Sequence, residues 1–280
     1  MPRPKHKLRH RLALCLMKYL ARIPAARRPL LAGMLARIIL RLSSRTRKRA
    51  INNLALALPS LSDQQRRTMV RQSYTGIIQG LLDCLNLAEL EMDIHCDEQA
   101  AQYLASGKGL CVVTLHTCCY ELVPLALQRL TGRSTTLSHL PNFIDPKHNP
   151  YQKAGIGYVE KKQPGAFVKL LNQVKQGAVV TLHADLYAED INVHFFGRET
   201  RAPAGAAMLS AFAGTPLLLA WGVKTQEGRY QVFIEPFMHQ PVERNKTAFE
   251  LVTRKLYERF EQIILSYPEQ WYWSFNRWRT

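Results

Sequence analysis

The stretch Leu110-Cys111-Val112-Val113-Thr114-Leu115-His116-Thr117-Cys118-Cys119-Tyr120-Glu121 decides the fold class. Its first six residues are uncharged, apolar and rich in β-branching, which is the pattern of a strand buried on both faces. Residues 178–182 and 217–223 repeat that character, and residues 230–235 alternate apolar with polar side chains, as an edge or half-buried strand does. Helical patterns lie between these runs, over 118–130, 164–176 and 205–213. Strands alternating with helices predict an α/β fold, a central mixed sheet flanked by helices. A helix over 246–265 closes the fold, and an aromatic, basic tail over 271–278 follows it.

Upstream of the core, a helix is expected from near Arg45 to the Pro59-Ser60 break. Ser62 then stands three residues before Gln65, in the register of a capping box, and opens a long helix that runs roughly to Asn86. Further out, residues 10–42 mix Leu, Ile, Met and Ala with Arg and Lys. Apolar positions recur at helical spacing: Leu12, Leu16, Tyr19 and Leu20, then Leu31, Leu35, Ile38, Ile39 and Leu42. Pro24 and Pro29 divide this region into two short basic amphipathic helices, a composition suited to an anionic membrane interface or to an ordinary basic hairpin packed on the domain. The expected organisation is therefore a basic amphipathic helical extension over 1–44 and one catalytic-sized domain over 45–280.

Charge is distributed unevenly. The net charge is +17, and residues 1–49 hold fifteen Lys or Arg with no acid; the first carboxylate is Asp63. Nucleic acid, an anionic membrane and an acidic protein or substrate are the partner classes this admits. The six cysteines form no CxxC pair and no metal-ligand spacing, which fits reduced, mostly buried thiols. A spanning helix needs roughly 20 apolar residues. The N-terminal runs are broken by Lys18, Arg22, Arg27, Arg28, Arg37 and Arg41, and the longest uncharged stretch, 202–223, contains Gly205, Gly214 and Pro216. No membrane-spanning helix is expected. The apolar run after the basic start is too short for a secretory signal, while an Arg-rich, acid-poor start is also a property of mitochondrial presequences.

His116 follows the core strand directly, at the strand end where α/β folds place reactive groups, and Glu121 lies five residues on. A neutral imidazole, with a pKa of about 6.5, takes a proton near neutral pH, and a carboxylate on its other nitrogen fixes the tautomer. A His and a Glu at this spacing also occur by chance. Other chemistries lack their motifs. There is no G-x-S-x-G elbow and no H-E-x-x-H. Gly107-Lys108-Gly109 is not a phosphate-binding loop, and Gly155-x-Gly157 is only a fragment of a dinucleotide site. His183-x-Asp185 has no third ligand nearby, so no metal is expected.

The segment from Leu115 to Leu122 resembles the H-x4-D/E motif of glycerolipid-type acyltransferases, and in its glutamate form it is similar to the lipid A biosynthesis acyltransferases of lauroyl and myristoyl type. Other blocks agree in order. Arg49-Ala50, Asn53-Leu54, Leu56 and Pro59 resemble one family block. Asp185 stands after its strand as the family's aspartate does. Val193-x-Phe195-Phe196-Gly197 with Ala202-Pro203-x-Gly205 resembles a second block, and Tyr267-Pro268-Glu269-Gln270-Trp271-x-Trp273 through Arg277 and Thr280 resembles the family's ending. Lys153 is set against an arginine of the family's middle block. The resemblance implies a glycerolipid acyltransferase-like fold and transfer of a fatty acyl chain from an acyl carrier protein thioester to a hydroxyl of a lipid A-type glycolipid. It places the protein at the cytoplasmic face of the inner membrane, peripheral or monotopic. It makes His116 the general base and Glu121 its orienting carboxylate, with the thioester as co-substrate and no metal or redox cofactor.

Lys153, Arg198 and the backbone around Gly205 are the candidates for oxyanion stabilisation, and Asp185 for a sugar hydroxyl, a cation or a turn cap. Arg45, Arg47, Lys48 and Arg49 are candidates for docking an acidic carrier protein or lipid phosphates. Residues 202–223 either wall an acyl pocket or form plain core. The alternatives are another acceptor, such as a lysophospholipid or glycan-linked lipid, and a non-catalytic protein binding anionic membrane or nucleic acid. Charge and the Trp/Arg tail favour nucleic acid. With only Tyr19 aromatic among residues 1–49, no stacking platform exists there and no nucleic acid is expected.

Overall fold

The computed structural model describes residues 14–139 and 149–279. The expected helical position Leu12, the basic residues before it and Thr280 lie outside the described residues. Seven strands form the central sheet: β1 (Met92–Cys96), β2 (Leu110–Thr114), β3 (Ser134–Ser138), β4 (Gly157–Glu160), β5 (Val179–His183), β8 (Leu217–Lys224) and β9 (Tyr230–Met238). Their order is β1-β9-β8-β2-β5-β3-β4. β4, β3, β5, β2 and β8 run parallel, β9 returns antiparallel to β8, and β1 runs parallel to β9. The sheet is therefore mixed, as expected. β2 sits near the middle, and all five of its residues are buried. Its apolar run has protein on both faces, for which burying each large side chain contributes roughly 1.5–3 kcal/mol.

The alternation over 230–235 is real, with Tyr230, Val232 and Ile234 buried, but β9 lies between β1 and β8 and is not an edge. β3 and β4, which carry Ser, Thr and Gly, escape the apolar-run criterion. A separate hairpin pairs β6 (Ile191–Phe195) with β7 (Arg198–Ala202). Its two-residue turn puts Phe196 at φ 52° and Gly197 at φ 68°, the left-handed pair that a tight hairpin needs. Phe196 holds this conformation with its N–H donating to Glu261 Oε1 at 2.5 Å.

Two long helices support the sheet from the N-terminal side: α2 (Ser44–Ala57) and α3 (Asp63–Asp83), the latter opened by the Ser62/Gln65 capping box. α3 stops at Asp83, and the chain tightens into a 3-10 segment over Cys84–Glu89, three residues earlier than expected. The remaining helices are α4 (Glu98–Ala105), α5 (Leu122–Thr131), the short α6 (Pro150–Lys153), α7 (Ala166–Lys175), α8 (Gly205–Ala213) and α9 (Lys246–Ser266). α5 begins at Leu122 rather than at 118. Residues 117–121 form an irregular turn, with Thr117 N–H on Leu115 O and Leu122 N–H on Cys119 O.

The C-terminal tail belongs to the core. Trp271 and Trp273 are buried, and Arg277 is fully buried between the rings of Phe195 and Tyr257. Asn53 of α2 donates to the carbonyls of Trp273 and Phe275 at 2.7 and 2.8 Å, which fixes the tail's path. These rings are therefore not an exposed stacking surface.

Residues 14–21 are helical, and α1 (Arg28–Leu42) follows a short 3-10 turn, Ala25–Arg27. Pro29 does not break α1; it occupies the first turn, where its missing N–H costs nothing. α1 buries Ala32, Ala36 and Leu40. The larger Leu30, Met34, Ile38 and Leu42 stay exposed. Arg28 is buried and pairs with Asp83 at 3.0 Å, and Asp83 also accepts a hydrogen bond from Tyr230 OH.

Candidate active site

β2 and β5 are parallel, hydrogen-bonded neighbours with Thr114 opposite His183, so the residues just past their carboxyl ends meet beside the middle of the sheet. His116 Nδ1 lies 2.7 Å from Asp185 Oδ1. Asp185 Oδ2 accepts the backbone N–H of His116 at 3.0 Å and the indole N–H of Trp271 at 2.9 Å. Burial would raise the Asp185 carboxyl, but the charge and hydrogen bonds of His116, with Trp271, hold it at about 2. An ionised carboxylate on Nδ1 fixes the tautomer with the proton there and leaves Nε2 as a free acceptor. His183 lies beside His116, ring centroids 4.6 Å apart. Burial, then His116, push His183 down to about 3, so it is neutral at physiological pH.

The carboxylate that orients His116 is Asp185, where the sequence points to Glu121. Glu121 is buried and accepts from Tyr151 OH, and its Oε2 has no hydrogen-bond partner among the described residues. Burial raises its carboxyl to about 7 against the opposing Tyr151 hydrogen bond and His116 charge, so near neutrality it is about half protonated. The physical reason is the turn at 117–121. Thr117 is pinned by its hydroxyl to Gly222 O at 2.6 Å, and Cys118 O lies against Gly80 of α3, where a β-carbon would come within 2.0 Å. Held this way, the turn sends Glu121 toward Tyr151 of α6.

Two cavities meet at this turn. One, of about 320 Å³, is lined by His116, Glu121, Lys161, His183 and Gly205 among others. A second, of about 400 Å³, is mostly apolar, with Leu20, Ile78, Leu82 and Leu87 in its walls. Tyr120, Glu121, Ser138 and His139 line both. Residues 202–223 do not wall the apolar cavity; they are strand β8, helix α8 and core, although Pro203, Gly205 and Ala206 border the polar one.

The other candidates fall in different places. Gly205 is at the cavity, at the start of α8, with open space over its α-carbon. Lys153 is exposed at the end of α6 and does not line the cavity, because Tyr151 is the α6 side chain that turns inward; the lysine in the lining is Lys161. Arg198 is exposed at the hairpin, likewise away from the lining. Arg45, Arg47, Lys48 and Arg49 lie on the first two turns of α2, Arg45 and Lys48 exposed and Arg47 bonded to Leu40 O. Trp271, Tyr151, His183 and Lys161 are site residues that sequence reasoning missed. The His183-x-Asp185 spacing carries a signal, but as a sequence pattern it suggests a metal pair rather than a histidine and its carboxylate. Among the described residues no group of three or more His, Cys, Asp or Glu is placed to hold a metal ion.

The family model for bacterial lipid A biosynthesis acyltransferases matches residues 5–280. The chain belongs to this family. Similar proteins include the phosphatidylinositol mannoside acyltransferases of two strains of Mycobacterium tuberculosis, each 26% identical over 188 residues. That match covers 62% of this chain and spans 56% of the relatives' length. The crystal structure of the 1-acyl-sn-glycerophosphate (LPA) acyltransferase PlsC from Thermotoga maritima is similar over 85% of this chain and 97% of its own, at 11% identity and a TM-score of 0.42. No helix among the described residues is long and apolar enough to cross a membrane.

Proposed function

We propose that this acyltransferase-family protein moves a fatty acyl chain from an acyl carrier protein thioester to a hydroxyl of a lipid A-type glycolipid, at the cytoplasmic face of the inner membrane. The observation that carries the reading is the His116–Asp185–Trp271 relay, whose His116 lines a polar cavity that shares Tyr120, Glu121, Ser138 and His139 with an apolar one. The acyl chain occupies the apolar cavity and the acceptor hydroxyl enters the polar one. His116 Nε2 takes the hydroxyl proton as the oxygen attacks the thioester carbonyl. The tetrahedral intermediate then collapses, the C–S bond breaks, and the imidazolium returns its proton to the departing thiolate. Asp185 carries the transient positive charge of His116. Lys161 and the first-turn N–H groups of α8, which have no intrahelical carbonyl to meet, are the donors assigned to the oxyanion. Glu121, about half protonated near neutrality, lines both cavities and in its protonated form positions the acyl carbonyl. Neither a metal nor a redox cofactor enters these steps. The cations of α2 dock the acidic carrier.

A second acceptor class is favoured by the mannoside acyltransferase relatives: a glycan-linked phospholipid. Purified protein in detergent, given acyl carrier protein thioesters and both acceptor classes, tests the reading. Acylated glycolipid from wild type and a loss of at least about 100-fold in His116→Ala are expected. Equal activity in the two removes His116 from the chemistry, and acylation of the glycan-linked phospholipid alone changes the acceptor.

A further inference from the structure

α1 buries Ala32, Ala36 and Leu40 and half-buries Leu31 and Leu35, but leaves a second set of large apolar residues exposed. Ala32 and Ala36 are fully buried on α3, while Leu30 is 73% and Leu42 81% exposed, with Met34 and Ile38 between them. At four-residue steps these side chains form one stripe along the helix. Exposed side by side, these four residues make an apolar face that no described residue covers, a feature that favours an apolar partner. Beside it lies a third cavity, of about 530 Å³, which is bordered by Cys118 of the 117–121 turn but shares no lining residue with the other two. Three cations line it: Arg37 of α1, Arg71 of α3 and Lys224 at the end of β8. None of the three has a carboxylate within ion-pair distance among the described residues. Lys224 is half-buried, its backbone clamped by Gln270, whose side chain accepts from Lys224 N–H at 2.7 Å and donates to Lys224 O at 2.8 Å. Burial lowers its pKa. Thr75, Gln79 and Glu269 also border the cavity; the Glu269 carboxylate accepts from Gln270 and leaves the lining net positive. Leu30 and Arg37 are seven residues apart, nearly two full turns, so the cationic cavity opens at the edge of the apolar stripe.

We propose that this cavity binds the phosphate of an anionic membrane phospholipid whose acyl chains lie along Leu30, Met34, Ile38 and Leu42. Three cations without a carboxylate partner, one of them half-buried, next to an exposed apolar face match a phosphodiester joined to two hydrocarbon chains. A soluble phosphate uses only the first feature and a protein helix only the second. The site rests on the membrane-surface reading under Proposed function and deepens it. Its test measures binding without turnover, so the acyl-transfer reading and this one fail separately.

The full chain is floated with phosphatidylglycerol-containing vesicles and with phosphatidylcholine vesicles. Arg37→Gln/Arg71→Gln/Lys224→Gln is compared with Lys108→Gln/Lys175→Gln/Lys255→Gln, which removes the same charge from exposed positions elsewhere. At about 1 kcal/mol per cation near the lipid surface, the cavity triple loses about 100-fold in affinity for phosphatidylglycerol vesicles and the control less than about threefold. Arg71→Gln alone, at an exposed position that leaves the fold intact, loses about fivefold. Ile38→Ser weakens binding without changing the preference for phosphatidylglycerol. Equal losses in the two triples, or wild type that does not float, overturns the site. Displacement from vesicles by inorganic phosphate at concentrations comparable to the lipid also overturns it, by making the ligand a free anion.

Discussion

Replacing Asp185 with Asn separates the observed geometry from the expectation drawn from the H-x4-E spacing. Asp185 accepts three hydrogen bonds, from His116 Nδ1, the His116 backbone N–H and Trp271 Nε1. Asn has one carbonyl oxygen. If that oxygen keeps the two donors on the Oδ2 side, its NH2 faces Nδ1 and forces the imidazole proton onto Nε2. Nε2 then cannot act as the base. The imidazolium also loses its counter-charge. With roughly 4 Å between charge centres and an effective dielectric near 20, that is about 4 kcal/mol, or a rate factor of about 10³. The corresponding substitution in a serine-protease triad, which also inverts the tautomer, costs about 10⁴. We therefore expect kcat to fall between about 10³- and 10⁴-fold in Asp185→Asn with little change in KM. The isosteric Glu121→Gln, by contrast, keeps the Tyr151 hydrogen bond and mimics the protonated half of the wild-type population, and is expected to fall by less than about tenfold. Initial rates of thiol release from the acyl donor, with melting curves for both variants, decide the matter. An Asp185→Asn enzyme within tenfold of wild type beside an inactive Glu121→Gln enzyme would refute the argument and return the orienting role to Glu121.

The same contacts set three further outcomes. Trp271→Phe removes the indole donor to Asp185, and a hydrogen bond to a charged group is worth about 1.5–3 kcal/mol; the melting temperature falls, and kcat drops about tenfold while KM holds, as steady-state kinetics can show. Gly80→Ala drives a β-carbon to within 2.0 Å of Cys118 O, so the active-site turn must shift; chemical denaturation should register a loss of about 1–3 kcal/mol or more, together with lost activity. Glu121 binds its proton more tightly folded, at about 7, than unfolded. Its contribution is therefore fully present below the unfolded carboxyl range and is lost as pH rises through about 7, on the order of 3 kcal/mol in all. Asp185, held at about 2, acts the other way, its contribution lost as pH falls from about 4 through 2. Urea denaturation of wild type and Glu121→Gln from pH 5 to 8 isolates the first effect: wild-type stability declines relative to the variant, and parallel curves would contradict the raised carboxyl.

The sheet's buried strands are legible because their composition is local. Residues 110–115 and 217–223 state their burial on both faces without reference to anything else in the chain, and the Ser62/Gln65 box states its helix start. β3 and β4 are not legible, because Ser134-Thr135-Thr136 and Gly157 give no apolar run; their place is set by pairing with β5 and with each other. α1 misleads in another way. Periodicity marks Leu31, Leu35, Ile38, Ile39 and Leu42 as one face, but close packing on α3 selects Ala32 and Ala36 for the buried side, and periodicity cannot rank small against large.

His116 is legible for the same local reason as its strand, since a titratable residue at the end of a central strand needs no partner to be noticed. Its carboxylate is not. Glu121 is near in sequence, yet five residues of turn anchored by Thr117 and Gly80 carry it to Tyr151, while Asp185, 69 residues on, arrives beside His116 because β5 pairs with β2 in register. Trp271 arrives from 86 residues beyond Asp185 because Asn53 and Ser73 hold the backbone of the tail, the latter through its hydroxyl on Trp271 O at 2.5 Å. A base is a property of one residue, but its tautomer is a property of the whole sheet and tail. The ending that reads as a basic aromatic tail is in physical terms the second support of the Asp185 carboxylate. Substitutions in that tail should therefore act on kcat through Asp185 before they act on any surface the tail presents.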